Sequence, residues 1–313
     1  MTEQYSETQS DLEKMEKPLP WTQRNGFPDW LTASIWLIIA FIGFQLIANV
    51  LAFVFILAQE GFKIDPANLL SLISQHMRWV FVGNSIGQVS ILAISTWFIS
   101  SVVVRKSEKL RFFRLEKGIQ IGKTVGLSIL IMVAIQPMIW LLSYMNQLFP
   151  FPDGYLNFEN EQMKILIDFL TKEKSLLFIL INVAVVPAMC EEILFRGFIF
   201  RLYTNSTGWF WGIFISGFLF GLYHFKLTQL IPLSLIGMLL AWLTYKSGSL
   251  IPAIVAHFVN NGGSVVAAFY YPEYAFSVGT ETLPPFWISL ASITLTIGFL
   301  YSFNLVTSKK AVN

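Results

Sequence analysis

Apolar residues run along this chain in blocks of roughly 20, the length that crosses a bilayer as a helix. Short polar or charged segments break the blocks apart. Eight blocks are legible: Trp30 to Leu57, Trp79 to Val104, Thr124 to Met145, Ser175 to Tyr203, Trp209 to Phe225, Gln229 to Tyr245, Leu250 to Tyr270 and Pro285 to Val306. Lys63 to Met77 is too short and too polar to span and reads as an interfacial segment. Glu161 to Lys174 alternates charges with Met163, Ile165, Leu166, Phe169 and Leu170, the pattern of an amphipathic surface helix. The pattern predicts an all-α polytopic membrane bundle. Pro137 predicts a kink in the third span. Gly212, Ser216, Gly217 and Gly221 predict a close helix approach by the fifth.

Composition agrees. Of 313 residues, 55% are hydrophobic and 13% charged, with a mean hydropathy of +0.61, against about 25% charged in soluble domains. One cysteine rules out an intrachain disulfide. No basic stripe lies on a soluble face, so no nucleic-acid partner is expected. The segment after the second span holds Arg105, Lys106, Lys109, Arg111, Arg114, Lys117 and Lys123 against Glu108 and Glu116. By the positive-inside rule this loop is cytoplasmic. Eight spans then put both termini in the cytoplasm. The chain divides into a flexible polar tail (1–28), an N-terminal membrane region with interfacial helices (29–174), a core (175–270), and a last span with a short tail (271–313). A multi-pass protein of a bacterial inner membrane is the expected setting.

The chemistry gathers in the core. Glu191 and Glu192 stand side by side inside an apolar span, where an ionised carboxylate costs about 2.5–3.5 kcal/mol on insertion scales. Arg196 lies one turn beyond Glu192 and can pair with it, which leaves Glu191 with no local neutraliser. Pro187, one turn before Glu191, can bend the helix there. Two of the three histidines, His224 and His257, also lie in apolar spans, and Asn261 shares a helix face with His257. Counted from their helix ends at 1.5 Å per residue, Glu191 lies about 18 Å deep, His257 about 10 Å and His224 about 22 Å. Tilt and shifted ends could bring these depths together. Cys190 reads as a small packing residue and His76 as incidental.

Glu191-Glu192-x-x-x-Arg196, Phe220-x-x-x-His224 and His257-x-x-x-Asn261, in that order and each in an apolar span, resemble the signature of the CAAX prenyl protease and bacteriocin-processing (Abi, CPBP) family of intramembrane glutamic endopeptidases. The resemblance covers about 175–266. It implies a helical fold with a water-accessible cavity and hydrolysis of a peptide bond in a membrane-embedded or lipidated substrate. It implies Glu191 as general base, holding the attacking water with His224. His257 and Asn261 would stabilise the oxyanion, with Glu192 and Arg196 in support. Donors aimed at an oxyanion in a dry cavity contribute about 2.7–4 kcal/mol each. No cofactor is required on this reading. The alternative is zinc on Glu191, His224 and His257, a ligand set with an open position for water, and members of the family have been labelled metalloproteases; the helical His-Glu-x-x-His motif is absent from the sequence. Two other classes stand beside the protease: a non-catalytic bacteriocin-immunity or scaffolding protein of the same fold, and a proton-coupled transporter. The transporter would show repeated halves with interrupted helices, and none is legible.

Overall fold

The computed structural model describes residues 19–61, 69–271 and 282–308; the side chain of Leu70 is excepted. Ten helices carry the architecture: α1 (Asp29–Gln59), α2 (Met77–Val102), α3 (Ile121–Ala134), α4 (Gln136–Gln147), α5 (Asp153–Lys172), α6 (Leu176–Thr207), α7 (Trp209–Tyr223), α8 (Leu230–Ser247), α9 (Ile251–Tyr270) and α10 (Phe286–Ser308). The chain is an all-helical membrane bundle, with no strand among the described residues.

Each of the eight predicted blocks is helical, but they are not equal. Six helices (α1, α2, α6, α8, α9 and α10) are long and apolar enough to cross a membrane. The third block is the pair α3 and α4, bent by 43° just before Pro137, where proline removes a helical N–H. Counting that pair as one span gives seven. The fifth block, α7, has only 15 residues. Among the described residues, six helices, or seven with the bent pair, are thus long and apolar enough to span, with α7 as a shorter apolar helix.

Of the expected tail (1–28), residues 1–18 lie outside the described residues. The chain is already folded at Trp21–Arg24, where the buried Thr22 donates to the Val102 carbonyl at 3.1 Å. Of the interfacial segment, residues 63–68 lie outside the described residues; Leu69–Gln75 is helical, and His76 at its end meets Glu60 at 2.8 Å.

The glycine face of α7 works as its spacing predicts. A Cβ on Gly217 would lie 2.5 Å from the Met238 backbone nitrogen and 2.9 Å from its Cα; one on Gly237 would lie 2.7 Å from the Gly217 carbonyl. Backbones of α7 and α8 touch at this crossing. Gly217→Leu is expected to destabilise the protein by about 3 kcal/mol, the upper range for overpacking, read as a lower unfolding midpoint in detergent. An unchanged midpoint would mean that α7 and α8 can separate at no cost.

Candidate active site

The site is built on α6, which is not a uniform α-helix. Ile181–Val185 and Ile193–Ile199 are π-helical, flanking the α-helical Val186–Glu192 that carries both glutamates. Such widened turns shift side-chain register and recur at functional sites. Pro187 has no N–H to give the Val183 carbonyl one turn back. That carbonyl instead accepts from Asn261 Nδ2 at 3.2 Å, which ties α9 to α6 beside the carboxylates.

Glu192 and Arg196 are fully buried and paired as expected, Nη1 to Oε1 at 2.7 Å. Arg196 also donates through Nη2 to the Gly237 carbonyl at 3.0 Å, and its guanidinium lies 4.3 Å from the Phe220 ring centroid. The same Glu192 oxygen accepts from His257 Nδ1 at 2.8 Å. With Nδ1–H committed to a carboxylate, His257 presents Nε2 to the cavity. Neutral, that nitrogen accepts from Asn261 Nδ2 at 3.2 Å; protonated, it becomes a donor. Asn260 fixes the Asn261 amide from the other side, donating to Oδ1 at 3.1 Å, and is itself held by Gln136 of α4 at 3.1 Å.

Glu191 is the other kind of carboxylate. It is buried, and its Oε2 has no hydrogen-bond partner among the described residues. His224 Nε2 and His257 Nε2 both stand 4.0 Å from that oxygen. The separation is too long for a hydrogen bond and suits one water between the groups. The structure therefore brings together all six residues singled out from the sequence, despite the spread in their apparent depths.

His224 sits where α7 ends. Its Nδ1 meets the Phe220 carbonyl at 2.7 Å, which leaves Nε2 toward Glu191. The next residue, Phe225, has a φ of +53°, a left-handed conformation that costs a bulky residue on the order of 1–3 kcal/mol. Helix α5 holds this turn in place. The Tyr155 hydroxyl donates to Glu159 and accepts from the Leu227 N–H at 2.8 Å, with the Phe225 carbonyl 3.2 Å away, while Thr228 donates to Glu159 at 2.6 Å. Sequence reading missed this latch, because Tyr155 and Glu159 lie about 70 residues away, ahead of the Glu161 to Lys174 stretch that reads as an amphipathic helix. It also missed Tyr223, whose buried hydroxyl has no partner among the described residues and lies close enough to feel the Glu191 charge. Its place beside His224 in a signature motif was the available signal.

The Nε2 of His257 already meets the Asn261 amide, and both histidine nitrogens stand back from Glu191. Among the described residues, no group of three or more His, Cys, Asp or Glu side chains is arranged to hold a metal ion. Cys190 is buried in the packing of α6.

Neither the curated proteins nor the solved structures yield a match to the chain. The segment from 173 to 263, which runs from the start of α6 through Asn261, matches the family model described as Type II CAAX prenyl endopeptidase Rce1-like.

Proposed function

We propose that this chain is an intramembrane endopeptidase that hydrolyses peptide bonds of membrane-embedded or lipidated substrates with a water activated by Glu191. The observation that carries the reading is the buried, unpartnered Glu191 Oε2, equidistant at 4.0 Å from two histidine nitrogens. A buried carboxylate oxygen with no direct hydrogen bond is costly in apolar surroundings, and room for a water beside it suits a general base.

The steps follow from the groups present. A water held between Glu191 and His224 gives its proton to Glu191 as its oxygen attacks the scissile carbonyl carbon. The carbonyl π pair moves to oxygen. Nε2–H of a protonated His257 and an N–H of Asn261 would receive that oxyanion. Collapse expels the amine, which takes the proton back from Glu191. No bond to the enzyme forms, and the protons balance within one turnover. Glu192, anchored by Arg196, orients His257. The same reading requires no metal.

Purified protein in detergent, given a mixed library of lipidated and unlipidated peptides with and without a chelator, tests this. Cleavage that survives the chelator is expected. Cleavage lost to the chelator and restored by zinc would replace the mechanism while keeping the protease. A library left uncut by wild type favours the non-catalytic immunity or scaffolding role.

Asn261→Ala is expected to lower kcat by about 10²–10³, the usual loss for one oxyanion donor, with KM little changed. A rise in KM alone would show that Asn261 only shapes the binding cavity.

A further inference from the structure

The chain just ahead of α1 folds back onto the bundle. Gly26 takes a φ of +62°, a left-handed turn that glycine adopts without steric cost. The turn sets the Phe27 ring against Trp21, centroids 5.6 Å apart. Thr22, in the short helix Trp21–Arg24, donates to the Val102 carbonyl at 3.1 Å, one of the carbonyls that the end of α2 leaves without a helical partner. Trp36 of α1 donates its indole N–H to Thr96 of α2 at 2.9 Å. The short helix, α1 and α2 are thus pinned together at one corner of the bundle.

Between the three elements lies a groove of about 410 Å³, within the size range of ligand pockets. Trp21 and Phe27 wall it from the turn, Ile35, Trp36 and Ile39 from α1, and Ile99 and Val102 from α2. Thr22 and Thr32 also line it, but their hydroxyls are spent on the Val102 and Pro28 carbonyls, each at 3.1 Å, as the Trp36 N–H is on Thr96. The lining therefore offers hydrocarbon and little to water. Trp21, Ile35 and Ile39 are exposed, so the groove opens sideways from the bundle. Exposed Trp21 and Trp30 mark its depth as the membrane–water interface, where tryptophan concentrates. The groove runs out among cations. Arg24 ends the short helix, and Arg105 and Lys106 follow Val102 within about one turn; Arg24 and Lys106 are exposed. Of the nearby acidic residues, Asp29 is bonded to Asn205 at 2.9 Å and Glu108 is exposed.

Any lipid-facing surface is covered by hydrocarbon; a walled slot that ends in fixed cations also selects a headgroup. We propose that this groove binds one anionic phospholipid, with an acyl chain lying between α1, α2 and the short helix and the phosphodiester group meeting Arg24 and Lys106. Basic pockets between membrane helices recognise anionic headgroups in this way. A soluble apolar ligand would leave the cations unused, and a zwitterionic lipid would bring its own cation to them.

The full chain, delipidated in a maltoside detergent, is titrated with dioleoyl phosphatidylglycerol or dioleoyl phosphatidylcholine, and bound lipid is counted on the intact protein by native mass spectrometry. Each basic residue beside an anionic headgroup contributes roughly fivefold. One phosphatidylglycerol is therefore expected to bind roughly 25-fold more tightly than phosphatidylcholine, and Arg24→Gln with Lys106→Gln to bring the two lipids level. Ile39→Trp, which fills the groove and leaves the charges alone, is expected to abolish the tight binding; Ile35→Trp takes its place if that variant has a lowered unfolding midpoint. Equal binding of the two lipids by wild type would overturn the proposal. So would tight phosphatidylglycerol binding that survives both groove-filling variants, since the lipid would then sit on the basic surface alone. A dimer that Ile39→Trp splits would make the groove an interface between copies of the chain, and tight binding gained only on deleting residues 2–18 would make it the seat of that segment; either would overturn the proposal. The readout needs no hydrolysis, so it stands apart from whether the chain cleaves peptides.

Discussion

Replacing Glu191 with Gln is expected to abolish peptide cleavage, a loss on the order of 10³-fold within the range for a general base, while leaving the protein as stable as before or more so. The two halves of this expectation have one cause. Glu191 is buried, its Oε2 is unpartnered, and neither histidine nitrogen comes closer than 4.0 Å. Its Oε2 makes no direct hydrogen bond that holds helices together, so an amide of the same shape removes a buried charge at little structural cost. The amide cannot take a proton from water. Cleavage rates and unfolding midpoints measured on the same preparations check both halves. Retained cleavage would show that another group is the base. A large drop in the midpoint would show that Glu191 is structural after all.

Arg196→Met is expected to act in the opposite way, lowering stability by about 3–5 kcal/mol, the cost of leaving a buried partner uncompensated. The fully buried guanidinium joins three elements at once, through Glu192 on its own helix, the Gly237 carbonyl of α8 and the Phe220 ring of α7. Without it, the Glu192 carboxylate keeps only His257 as a partner. Arg196→Lys is no remedy, since one ammonium cannot reach Glu192 and Gly237 in the planar fork that arginine offers. The double variant Glu192→Leu with Arg196→Met should regain much of the lost midpoint, because no buried charge is left alone. It should stay inactive, because His257 loses the acceptor that orients its ring. Additive losses in the double variant would mean that the two side chains do not act as a pair.

Much of this site was legible before folding because much of it is helical arithmetic. Residues four apart lie on one face of a helix, so Glu192 with Arg196, and His257 with Asn261, are pairs that any helical reading finds. Glycines at the right spacing likewise announce the α7–α8 crossing, and the apolar blocks announce the helices. The resemblance of the three motifs then names the residues that belong together. What it does not supply is the depth at which they meet. The apparent depths of Glu191, His224 and His257 spread over about 12 Å when counted at 1.5 Å per residue, yet both histidines end at the same distance from one carboxylate oxygen.

The difference comes from features with no local signal. Two π-helical stretches in α6 shift the register around the glutamates, α7 stops after 15 residues with His224 at its end, and α5 clamps the turn that follows. Sequence alone therefore determined the helical membrane class and the i to i+4 pairs, because these depend on hydrophobicity and helix pitch. Only the tertiary structure decided that the Glu192 paired with Arg196 also holds His257, while Glu191 faces two histidine nitrogens without touching either. That choice depends on bonds between residues up to 65 positions apart, set by the crossing and relative depth of whole helices rather than by any neighbour along the chain.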